Sequence, residues 1–142
     1  MRAARLDSRA FASYFNKVPM KDSLAPGIAG EKQVTVTPDM GVKHLGEAGN
    51  VLSTPSMIQL MEMTCHEALA PYLDAGEGSV GTMVHVWHRA AAKTGEAVIV
   101  RCTLKERDRR KVLLEVSVDC GDRRIGDGTH ERFIVDLSRF KQ

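Results

Sequence analysis

The feature that most constrains this chain is one long helical stripe followed by nothing but strand-like segments. From Pro55 to Leu73, the residues Met57, Ile58, Met61, Cys65, Ala68, Leu69 and Tyr72 recur at spacings of three and four. That is the pattern of a single buried helical face. Ser53-Thr54-Pro55 supplies the start signal, a hydroxyl free to cap followed by a proline whose missing N–H costs nothing in the first turn. Pro71 and the run Asp74 to Gly78 predict its end. Beyond it, Val80 to Trp87, Ala97 to Leu104, Val112 to Cys120 and Arg124 to Val135 combine β-branched residues with turn punctuation between them.

Connections this short join antiparallel neighbours, because a parallel crossover takes a dozen residues or more. Gln33 to Thr37 alternates polar and β-branched residues and adds an earlier strand, and Val42 to Leu45 reads as a further short extended piece. One face of such a sheet must be covered, and the single long helix is the element available to cover it. The expected fold class is therefore α+β: a single hot-dog domain, with an antiparallel sheet wrapped around one long central helix. A chain of 142 residues fits one such domain. Residues 1–30 are expected to be an N-terminal extension and linker, with Pro26, Gly27 and Gly30 marking the linker, and residues 31–142 the domain itself.

Composition narrows the function classes. With 43% hydrophobic and 27% charged residues the chain is an ordinary globule, and a net charge of +2 gives no reason to expect nucleic acid. No apolar run approaches the ~18 residues of a membrane span. Met1 to Phe15 is basic and lacks the apolar stretch of a secretory signal, so a cytoplasmic location is expected. Cys65, Cys102 and Cys120 form no CxxC pair and read as free thiols in a reducing compartment. Glu62, His66 and Glu67 lack the HExxH order of a helical metal site, so no metal is expected. The run Lys105 to Lys111 interleaves acids with bases and reads as a solvated hairpin tip.

Three residues carry candidate chemistry. Glu62 lies four positions from Ile58 and three from Cys65, which puts a carboxylate on the apolar stripe. A charge there is costly without a partner or a task. Strand parity places Thr82, Val84, Val86 and His88 on one side, the side expected to face the helix. An imidazole there suits proton transfer near neutrality. Thr54 stands at the helix entry, where unpaired N–H groups favour negative charge. Each has a bland alternative: an edge carboxylate, a structural histidine, a helix cap. Together they make the hydroxyl, carboxylate and imidazole that an activated-water or covalent acyl transfer needs.

Ser53-Thr54, Leu60-Met61-Glu62-Met63-Thr64-Cys65, Ala70-Pro71-Tyr72-Leu73, Gly76 to Thr82 and Ile125 to Arg132 together resemble the fluoroacetyl-CoA thioesterase family of hot-dog proteins. The likeness runs from about Val34 to Phe140. It implies hydrolysis of an acyl-CoA thioester by a catalytic set of a threonine, a glutamate eight residues on and a histidine twenty-six beyond that; Thr54, Glu62 and His88 stand at those spacings. It further implies that the Gly81 backbone lines the site and that Arg132 supports it as an ion-pair partner. A homodimer joined sheet edge to sheet edge is implied, with no cofactor apart from the CoA of the substrate. Ala48 stands where the family has a phenylalanine six residues before the threonine, so fluoroacetyl itself is not assigned as the acyl group. Two other functions use the same fold: a non-catalytic acyl-CoA-binding module, and another acyl-thioester enzyme such as an enoyl hydratase.

Overall fold

The computed structural model describes residues 23–140. Five strands, β1 (Ala29–Thr35), β2 (Glu77–His88), β3 (Ala97–Asp108), β4 (Lys111–Cys120) and β5 (Arg123–Asp136), enclose helix α1 (Thr54–Leu69), and a short α2 (Leu137–Phe140) follows. They form one antiparallel sheet in the order β1-β3-β4-β5-β2, which is the expected α+β hot-dog architecture. No described helix is long and apolar enough to cross a membrane.

α1 is shorter than the Pro55–Leu73 stripe suggests. Proline has no N–H to donate and its ring crowds the preceding turn, so at Pro71 the chain tightens into a 3-10 turn, Ala70–Tyr72. Met57, Leu60, Met61, Thr64, Cys65 and Leu69 are the buried face of α1. They pack on the inward side chains of the sheet, among them Val98, Val100, Leu104, Leu114, Val118 and Ile134. Leu60 and Thr64 extend the stripe beyond the periodic set. Thr64 is tolerated there because its hydroxyl donates to the Leu60 carbonyl at 2.8 Å.

Two local expectations change. Val42 to Leu45 is not an extended piece: Lys43–Gly49 forms 3-10 turns, kinked at Gly46 where φ is +59°. The Val42 N–H donates to the Gly49 carbonyl at 2.8 Å, and a Cβ on Gly49 would lie 1.9 Å from the Val42 oxygen. Only glycine admits that closure. The basic run is also more than a solvated tip. Arg107 donates to the Leu24 carbonyl at 2.7 Å, and Arg110 pairs at 2.9 Å with Glu77, both side chains being largely shielded. These contacts tie the β3–β4 hairpin to the start of the domain and to β2. Leu24 is fully buried, and the Gly27 N–H donates to the Leu104 carbonyl, so the chain packs on the core several residues before β1.

One irregularity sets the site. β2 and β5 slip register between Gly81 and Met83, a β-bulge at Thr82. The Thr82 hydroxyl leaves the helix-facing side and donates instead to Glu131 Oε1 at 2.8 Å. An unbroken strand turns residues seven apart to opposite faces. The extra residue cancels that alternation, so Gly81, opposite Arg132, and His88, opposite Gly126, both face α1.

Close approach to β5 makes its glycines structural. A Cβ on Gly128, where φ is +154°, would sit 2.1 Å from the His85 carbonyl oxygen. Gly128→Ala is therefore expected to cost at least about 2 kcal/mol through backbone strain and overpacking. Urea denaturation of the purified variant against wild type checks this.

Candidate active site at the two ends of strand β2

The entry of α1 carries a hydroxyl–imidazole pair. Ser53 is the N-cap, its Oγ accepting from the Ser56 N–H at 3.2 Å. With capping done by Ser53, the hydroxyl of Thr54 is free, and its Oγ1 lies 2.8 Å from His88 Nδ1 in a hydrogen bond. A groove of about 290 Å³ opens beside this pair, walled by Val42, Leu52, Ser53 and Ala90. A nucleophilic or orienting hydroxyl bonded to an imidazole is the minimal unit of acyl-transfer chemistry.

Glu62 stands elsewhere. It lies two turns further along α1, roughly 12 Å at the helical rise, at the margin of the buried stripe, with a side chain 41% exposed. Gly81 makes room for it: a Cβ there would lie 3.3 Å from Glu62 Oε2 and 3.0 Å from His130 Cε1. Arg132 Nη1 approaches Glu62 Oε2 at 4.0 Å. An ion pair this open to solvent is worth at most ~1 kcal/mol, so its significance is orientation rather than stability. The imidazole beside Glu62 in the same chain is therefore His130, while His88 is bonded to Thr54.

His130 and Ser79 went unread in the sequence, and both are central here. The His130 ring joins the Met83 carbonyl through Nδ1 at 2.8 Å and Arg132 Nη1 through Nε2 at 3.0 Å. Arg132 also donates from Nε to Ser79 Oγ at 2.9 Å and from Nη2 to the Ser79 carbonyl at 2.8 Å. His66 is bonded to the same Ser79 hydroxyl at 3.2 Å, and Glu67 pairs with Lys32 across the surface. Strand parity offered a signal, since His130 and Arg132 alternate with Ile134 on the buried face of β5. A second cleft, of about 410 Å³, adjoins this cluster between His66, Ser79, Leu73, Val135 and Leu137.

Burial pulls the His130 imidazole below its ordinary range, against the opposing effect of its bond to Met83. Burial likewise lowers the Arg132 guanidinium, opposed by the neighbouring Cys65 and Glu62. The Cys65 thiol is pushed up, first by its hydrogen bond with Cys102 and then by burial, which leaves it a poor nucleophile. All three cysteines are free. Among the described residues no group of three or more His, Cys, Asp or Glu side chains is placed to hold a metal ion.

A hydroxyl–imidazole pair and a wet carboxylate, flanking the outermost described strand of a sheet that wraps one helix, fit a known group of enzymes. The profile of the fluoroacetyl-CoA-specific thioesterase family matches residues 36–138. This chain belongs to that family. The fluoroacetyl-CoA thioesterase of Streptantibioticus cattleyicolor is 38% identical over 128 residues, covering 85% of this chain and 92% of that protein. A mutant fluoroacetyl-CoA-specific thioesterase solved in complex with fluoroacetate and CoA superposes with a TM-score of 0.77 at 38% identity, covering 82% of this chain and 99% of that one. A thioesterase superfamily member from Thermus thermophilus gives a TM-score of 0.77 at 26% identity, covering 83% and 88%.

The neutral, buried His130 makes a prediction about stability. The native state binds fewer protons than the unfolded chain below the ordinary histidine value of 6.5, so stability falls as pH drops through that region. Replacing His130 by Gln removes this contribution. Urea midpoints at pH 7.5 and 5.5 should therefore converge more closely in the variant than in wild type.

Proposed function

We propose that this protein is a thioesterase that hydrolyses small acyl-CoA thioesters to the free acid and CoA, and that its working unit is a homodimer joined along the free edges of β2. Membership of the thioesterase family supports the reaction class. The observation that carries the assembly is the separation of Glu62 from the Thr54–His88 pair. Groups about 12 Å apart along one helix cannot both touch a single carbonyl, since catalytic contacts span about 3 Å. Among the described residues β2 is bonded to β5 on one side only, and Met83, Val84 and Trp87 are exposed along it. An uncovered edge of this kind is a template for pairing with another chain. Pairing Gly81 with the partner's His88 puts the two-fold axis between Val84 and His85, and brings Glu62 of one protomer to the Thr54–His88 pair of the other.

In such a site the thioester carbonyl lies against the first turn of α1, where N–H groups and the Thr54 hydroxyl polarise it. Glu62, open to water, takes a proton from the attacking water molecule as its oxygen bonds to the carbonyl carbon. His88, held by Thr54, donates a proton to the CoA sulfur as the C–S bond breaks. No cofactor is needed beyond the CoA of the substrate. Ala48, exposed on the Lys43–Gly49 turns before α1, stands where the family has a phenylalanine, which supports acceptance of several small acyl groups rather than selection for fluoroacetyl.

Loss of a positioned acid or base typically costs 10²–10⁴ in rate. Glu62→Gln and His88→Ala should each fall into that range in a thiol-release assay over short, aromatic and long acyl-CoAs, with the fold retained by circular dichroism. Near wild-type release by Glu62→Gln overturns the proposed chemistry. Co-refolding the two inactive variants tests the shared site. Half of the dimers are then mixed and each carries one intact site, so about a quarter of wild-type activity should return. No recovery, with mixed dimers present, places the whole reaction within one protomer.

A further inference from the structure

Beside Glu62 lies a buried polar group that the proposed chemistry does not use. His130 is 1% exposed, at the back of the Gly81–Glu62 contact. The Met83 carbonyl can only accept, so Nδ1 of His130 carries the proton. Arg132 can only donate, so Nε2 of His130 accepts. These two partners together permit a single state of the ring, the neutral Nδ1–H tautomer. The guanidinium is thereby fixed at three points: Ser79 Oγ, the Ser79 carbonyl and His130 Nε2. Its Nη1 is the atom that faces the Glu62 carboxylate.

We propose that His130 is a positioning residue for catalysis: its neutral ring aims Arg132 Nη1 at Glu62 and, through the Met83 carbonyl, holds the bulge that brings Gly81 and Glu62 together. The proposal rests on Glu62 being the reactive carboxylate. It also makes the site acid-sensitive. A second proton on His130 puts an N–H on Nε2 directly against a guanidinium N–H, with two positive charges in contact. The guanidinium must then leave, and Glu62 loses the cation that orients it. The charged and titratable groups around His130 are Glu62, Cys65 and His66 on α1, with Glu131 and Arg132 on β5. β2 presents Ser79 and the Met83 carbonyl, and β4 presents apolar Leu114 opposite the ring.

The test uses the full chain with His130→Leu, His130→Gln, His66→Gln and Glu62→Gln, assayed by thiol release from acetyl-CoA between pH 5 and 9. Misplacement of a reacting group by an ångström can cost about 100-fold. His130→Leu should lower kcat by about 10- to 100-fold while KM changes less than about threefold. His130→Gln keeps one donor and one acceptor, so it should recover most of that loss and flatten the acid limb of kcat, which a merely structural role would not do. His66→Gln should leave the limb in place. If His130→Leu does not fold, His130→Gln and Arg132→Lys carry the decision: the first should flatten the limb, the second should lose kcat with KM preserved. Wild-type kcat and an unchanged acid limb in folded His130→Gln, with Glu62→Gln inactive, overturn the positioning role and leave the catalytic one standing. An active Glu62→Gln overturns both.

Discussion

One helix wrapped by one sheet is the constraint from which the rest of this structure follows. α1 has room to bury only a stripe, from Met57 to Leu69, against the inward side chains of β3, β4 and β5. Apolar burial at roughly 25 cal/mol per Å² rewards that stripe and nothing beside it. Apart from Thr64, whose hydroxyl is satisfied by the Leu60 carbonyl, polar residues of α1 are consequently driven to its margins or its ends. Thr54 sits at the entry and Glu62 at the flank facing β2, and these two positions carry the candidate site. Among the described strands β2 is the outermost at the same place, so the residues least needed for the core gather along that side of the sheet.

The bulge at Thr82 converts that gross arrangement into a site. A regular β2 would turn either Gly81 or His88 away from α1. The inserted residue lets both face inward, one beside the carboxylate and the other beside the hydroxyl. The bulge is held from outside by Thr82 on Glu131 and from inside by His130 on the Met83 carbonyl. Bulges recur next to active sites because they re-aim side chains without breaking the sheet.

The polar cluster behind Gly81 is nearly closed, and that explains its composition. A buried donor or acceptor without a partner costs about 1–3 kcal/mol. His130, Arg132 and Ser79 satisfy one another and the backbone around them, and leave outward reach only toward Glu62 and His66. Such a cluster is rigid in one protonation state and frustrated in the other, which is why its tautomer can be read from its partners alone.

The sequence by itself determined the class of fold and the family, and it singled out the candidate groups. Periods of 3.6 and 2 are set by backbone geometry, so the stripe on α1 and the four later strands were legible in the sequence, as was the family resemblance that pointed to Thr54, Glu62, His88, Gly81 and Arg132. Tertiary structure alone decided the rest. Which hydroxyl caps α1 depends on where the turn begins, and Ser53 took that task and released Thr54. Whether Glu62 is buried depends on how far the sheet curls round the helix, and it stops short. The bulge has no signature in β2, because a register slip is fixed by the partner strand β5. His130 was visible as a position on a buried face, but its role exists only through Met83 and Arg132, and contacts across strands are not written in the spacing of either one.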